Sequence, residues 1–116
     1  MAATIYGFRN CDTVKKALKW LEANGVDHSF FDYRKQPLEA AIVDDWIERA
    51  GWEAAFNRGS RSFRALPEAE QSDIDAAKAR DLILADTNFI KRPVLDTGHD
   101  LLFGFKADAY AAALGR

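Results

Sequence analysis
The first thirty-three residues constrain this chain most. Thr4-Ile5-Tyr6-Gly7-Phe8 is rich in residues that favour strands. Arg9-Asn10-Cys11-Asp12-Thr13 is a polar break. Val14, Ala17, Leu18 and Leu21 then recur at helical spacing, and Asn24-Gly25 supplies a stop. His28-Ser29-Phe30-Phe31-Asp32-Tyr33 is a second strand. Strand, helix and strand within about thirty residues is the length of a βαβ unit.

Pro37 ends that unit. Leu38, Ile42, Trp46 and Ile47 mark an amphipathic helix over residues 38–50, closed by Gly51. Residues 57–64, with Arg58, Arg61 and Arg64, read as a basic polar loop. Pro67, followed by Glu68 and Glu70, suits a helix start, because proline fits the first turn and acids fit its positive end. Ile74, Ala77, Leu82 and Ile83 carry helix, in two pieces, to about Ala85. Pro93-Val94-Leu95 and Leu101-Leu102-Phe103-Gly104-Phe105 flank the turn chemistry of residues 96–100, which predicts a β-hairpin. A last helix places Tyr110, Ala111 and Leu114 inward. The expectation is an α/β chain, βαβ…ββα with a mixed sheet. This is the thioredoxin-like order with a helical insertion at about 37–88 inside a single domain spanning 1–116.

The 116 residues suit one domain. Hydrophobic residues make up 48% and charged residues 29%, which argues against disorder. A net charge of -2 disfavours general nucleic-acid binding, which asks for a basic surface. No apolar run approaches the ~20 residues that span a bilayer. Residues Met1 to Tyr6 do not have the makeup of a secretory signal. One cysteine makes neither an internal disulfide nor a structural zinc site, and His28 and His99 have no partners at ligand spacing. No metal is expected, and the reducing cytoplasm is the expected compartment.

Cys11 falls where a strand gives way to a helix. Backbone N–H groups and the positive end of a helix dipole favour a thiolate there. Arg9 and Lys15 would add to this, and Asp12 would oppose it. A free cysteine is often a small buried hydrophobe instead; the polar neighbours Asn10, Asp12 and Thr13 favour the reactive reading. Lys91-Arg92-Pro93 reads either as two surface charges before an edge strand or as a loop facing Cys11. In the second case Arg92 is an anion ligand, since its planar fork matches an oxyanion or carboxylate. Arg58, Arg61 and Arg64 are open in the same way, as solvated charges or as an anion pocket. Trp20, Trp46 and Trp52 read as packing residues.

The residues Ile5 to Ala17, Trp20-Leu21, Asp32-Tyr33-Arg34 and Ile90-Lys91-Arg92-Pro93-Val94-Leu95 together resemble the arsenate-reductase-related ArsC/Spx family, in its YffB-type branch. The resemblance spans nearly the whole chain and implies a thioredoxin-like fold with an inserted helical lobe. It also implies a nucleophilic cysteine at Cys11, an oxyanion-binding arginine at Arg92 and a cis-proline at Pro93. A further arginine is implied at Arg58, or at Arg61 if the alignment slides. Lys15 stands where arsenate reductases usually carry arginine, and Asn10 and Thr13 complete the expected anion site. Leu102-Phe103-Gly104-Phe105 replaces a segment where those enzymes have one more arginine. Val14 stands where Spx regulators usually have a second cysteine, so a disulfide switch cannot form there.

The implied activity is a glutathione-dependent thiol oxidoreductase with a single nucleophilic cysteine. Glutathione is the co-substrate and glutaredoxin a candidate partner; no cofactor is bound. The substrate is a disulfide or small oxyanion, and the chain is expected to act as a monomer with no direct nucleic-acid or membrane contact. Two alternatives stand beside it: a glutathione- or glutaredoxin-linked arsenate reductase, and a non-enzymatic Spx-like regulator that binds RNA polymerase.

Overall fold
Alternation of apolar residues builds the first strand, β1 (Ala3–Gly7), whose Ala3, Ile5 and Gly7 are buried while Thr4 and Tyr6 are half-exposed. The computed structural model describes residues 2–116. β1 leads to helix α1 (Asp12–Ala23) and strand β2 (His28–Asp32). Strands β3 (Val94–Asp96) and β4 (Leu101–Phe103) and helix α7 (Ala107–Leu114) close the chain. The sheet order is β2-β1-β3-β4. β1 and β2 are parallel, with Ile5 opposite Phe30. β1 and β3 are antiparallel, with Ile5 opposite Leu95, and β3 and β4 form the antiparallel hairpin. This is the mixed-sheet, thioredoxin-like βαβ…ββα arrangement that the sequence predicts.

The described chain divides into two compact units, residues 2–37 with 92–116, and residues 38–91. In the first, Ile5, Ala17, Leu21, Val26, Leu95 and Tyr110 form a buried cluster on one face of the sheet. Ile5, Ala17, Leu21 and Leu95 are wholly buried, so this apolar contact is the main force holding α1 on the sheet. Tyr110 packs edge-on against Trp20 and Phe105, at 5.7 and 4.8 Å between ring centroids. Its hydroxyl donates to Gly104 O at 3.3 Å, so the buried ring keeps a polar partner.

The second unit contains α2 (Ala40–Ala50), α3 (Trp52–Ala55), α4 (Arg61–Arg64), α5 (Glu68–Gln71), α6 (Ala76–Ala85) and a 3-10 turn, Thr87–Phe89. α2 packs against α6, and Val43, Trp46, Ala79 and Ile83 are buried. Phe56 stacks on Phe89 at 5.4 Å and meets Phe63 edge-on at 5.7 Å. The polar loop predicted over 57–64 gives way to helix at Arg61. Ser60 caps that helix, its Oγ accepting the Phe63 N–H at 3.0 Å. Among the described residues, no helix is long and apolar enough to cross a membrane.

Candidate active site
Cys11 is the residue at which the chain turns from loop into helix. Its backbone is extended (φ -119°, ψ 125°), and its carbonyl accepts the first helical bond, from Lys15 N at 2.9 Å. The side chain is therefore at the N-cap, facing the otherwise unpaired N–H groups of the first turn. The neutral thiol closes no standard capping hydrogen bond. The N–H groups of Val14 and Thr13 nevertheless favour its anion, as expected when a weak thiol acceptor becomes a charged thiolate.

The loop before Cys11 is pinned from below. Asp32, buried at the end of β2, accepts the Arg9 N–H at 3.2 Å with one oxygen and the Arg34 N–H at 2.9 Å with the other. Phe8 is buried beside it. The Arg34 guanidinium lies 3.6 Å and the Arg92 guanidinium 4.9 Å from the Phe8 ring centre. Phe8 thus forms part of the floor on which Arg92 rests.

Arg92 immediately precedes β3, and its bond to Pro93 is cis. Its Nε donates to Cys11 Sγ at 3.4 Å. Partial burial of Cys11 pushes its thiol pKa up. The Val14 N–H, the Arg92 hydrogen bond, the Thr13 N–H and the Arg92 charge together outweigh burial and hold the pKa below the ordinary thiol value. Arg92 Nη1 is buried and has no hydrogen-bond partner among the described residues, and the same is true of Tyr33 Oη.

Cys11, Arg92 and Thr13 therefore come together, Thr13 through its backbone, and the cis Pro93 follows Arg92 in the chain. Asn10 and Lys15 have exposed side chains. Lys15 lines an open groove of about 510 Å³ along α1, with Arg9, Asp12, Lys16, Leu18, Lys19 and Glu22. Four cations against two carboxylates give this groove a positive bias. Arg58 belongs to the second unit, where its guanidinium lies 5.5 Å from the Trp52 ring and 5.7 Å from that of Phe63. Arg61 is exposed in the first turn of α4. His28 Nδ1 is hydrogen-bonded to Val26 O, and His99 is exposed in the hairpin turn. No group of three His, Cys, Asp or Glu side chains converges as a metal site among the described residues.

Asp32 and Tyr33 are site residues that the sequence pattern does not mark as such. The one sequence signal for Asp32 is a carboxylate that directly follows Phe30 and Phe31 at the end of a strand. Tyr33 looked like an ordinary strand aromatic.

The ArsC family model matches residues 6–113. The chain belongs to the ArsC family. An uncharacterised protein of Haemophilus influenzae is 36% identical over 110 residues, covering 95% of this chain and 96% of that one. The solved structure of the protein YffB is 44% identical, with a TM-score of 0.91, covering 97% of this chain and 99% of its own. An arsenate reductase (ArsC) related protein from Brucella melitensis is 46% identical, with a TM-score of 0.81, covering 100% and 97%. In this ArsC-family chain, Cys11 and Arg92 stand at the meeting of α1 and β3, 81 residues apart in sequence.

Proposed function
We propose that this ArsC-family protein is a one-cysteine thiol oxidoreductase that uses glutathione as its reductant. The observation that carries the reading is the Arg92 Nε–Cys11 Sγ contact at a helix N-terminus, with the thiol pKa held below its ordinary value. The family match and the arsenate-reductase-related neighbour support a thiol-oxidoreductase-like role.

The Cys11 thiolate attacks one sulfur of a substrate disulfide. A Cys11–substrate mixed disulfide forms, and the other sulfur leaves as a thiolate that takes a proton. The chain has only one cysteine, so no internal thiol resolves the adduct. A glutathione thiolate attacks it instead, releasing the second substrate thiol. A second glutathione then takes the first, yielding oxidised glutathione and restoring Cys11. Two electrons pass from two glutathiones to one disulfide. Arg92 stabilises Cys11 as the attacking thiolate and again when it departs in the last exchange, and the basic groove along α1 suits the glutathione carboxylates.

The test is glutathione-coupled reduction of a small mixed disulfide. Cys11→Ser abolishes turnover if the reading holds; turnover retained by this variant contradicts it. A second reading, arsenate reduction, is favoured by the same Arg92–cysteine pair and by the similarity to the Brucella protein. The apolar strand β4 supplies no cation to an oxyanion. Arsenate-dependent consumption of glutathione, with glutaredoxin supplied, separates the two readings.

A further inference from the structure
Two buried polar atoms in the unit that holds Cys11, Tyr33 Oη and Arg92 Nη1, have no hydrogen-bond partner among the described residues. Buried polar groups are satisfied in the great majority of cases, and one left bare destabilises the fold. Here there are two. Tyr33 is only 6% exposed. Its placement does not depend on its hydroxyl. The Tyr33 N–H donates to Gly7 O at 3.0 Å, and its ring meets Phe8 edge-on at 6.2 Å. Backbone and ring hold the residue, and the oxygen is carried along without a structural bond.

The surroundings of that oxygen identify what it lacks. The phenol lies within electrostatic reach of both Arg92 and Cys11. Arg92 has only donors to offer, and its Nη1 faces the same shortage of acceptors. Burial chiefly, with the Cys11 charge adding to it and the arginines Arg92 and Arg34 opposing, pushes the Tyr33 pKa well above the usual phenol value. Tyr33 thus keeps its proton and acts as a donor. Two buried donors beside a nucleophilic sulfur call for an acceptor that arrives with the substrate.

We infer that Tyr33 is a further substrate-binding residue, whose hydroxyl donates, together with Arg92 Nη1, to an anionic oxygen of the group that Cys11 attacks. The ligand class is a carboxylate or other oxyanion within a few bonds of the reacting atom. The inference rests on the proposed reading of Cys11 as the nucleophile.

Iodoacetate and iodoacetamide test it. Each alkylates Cys11 by thiolate attack on carbon with loss of iodide, and they differ in a carboxylate against a neutral amide. The ratio of their rate constants, measured on the full chain, reports how the site treats an anionic oxygen, while the neutral reagent reports the thiol itself. Tyr33→Phe is expected to lower the iodoacetate-to-iodoacetamide ratio about tenfold, a loss of about 1.4 kcal/mol. Its thermal midpoint is expected to equal or exceed that of the parent, because a bare buried hydroxyl has been removed. An unchanged ratio overturns the inference, and so does a variant that loses its fold. The assay requires no turnover, so the two readings fail separately. Slow alkylation of the parent by both reagents contradicts Cys11 as the nucleophile. Fast alkylation with an unmoved ratio contradicts Tyr33 alone.

Discussion
At Cys11, burial opposes ionisation, while two helix N–H groups and the Arg92 guanidinium favour it. The outcome is a thiol whose pKa lies below the ordinary value, and Arg92 contributes both a hydrogen bond and a charge to it. Arg92→Met, which keeps an apolar stem over Phe8, is therefore expected to raise the alkylation midpoint and slow iodoacetamide at neutral pH. Arg92→Lys is expected to fall between the two, because a point charge on a flexible stem does not reproduce the fixed Nε geometry. A pH–rate profile of the three proteins checks the order. Cys11 is legible from the residues because it sits where a strand gives way to a helix, whereas Arg92 before Pro93 reads equally as a surface charge and gains its role only from the family resemblance. Tyr33 was not legible, since an unpartnered oxygen is a property of packing and leaves no mark on residue order.

At the scale of elements, the approach of α1 to β1 is set by one missing side chain. A Cβ at Gly7 would lie 2.8 Å from Val14 Cγ2, closer than van der Waals contact allows. Gly7→Ala is expected to destabilise the protein by about 1–3 kcal/mol, as overpacking does. It should also move the Cys11 alkylation midpoint toward the ordinary thiol value, since α1 shifts relative to Arg92. Adding Val14→Ala relieves the clash, so urea denaturation of the two single variants and the double variant is expected to show non-additive losses. The elements that build this site are readable because β1 alternates and α1 repeats at helical spacing, while β2 and the hairpin show in their β-rich composition and in the turn residues 96–100. α4 is not readable, because four residues are too short for a period to register, whereas Pro67 with Glu68 and Glu70 does mark the start of the equally short α5. The Ser60 cap was hidden among arginines.

For the whole molecule, the lowered thiol pKa links ionisation of Cys11 to folding. An acidic group whose pKa is depressed in the native state stabilises it fully above the unfolded-state pKa, about 8.5 for a thiol. That contribution is lost as pH falls through the folded value. The stability of the parent relative to Cys11→Ser is therefore expected to grow as pH rises across this window and to level off above it. Thermal or urea unfolding over a pH series checks the sign; a difference that shrinks with rising pH contradicts it. With one cysteine in the chain, no internal disulfide can form, and any disulfide of Cys11 joins it to another molecule.

The most direct test of the central claim, that Cys11 is a poised thiolate, is the rate of iodoacetamide alkylation against pH. The lone cysteine leaves one source for the signal. The account predicts a single titration with its midpoint below the free-thiol value of about 8.5. A midpoint at or above that value, with slow alkylation at neutral pH, would contradict it.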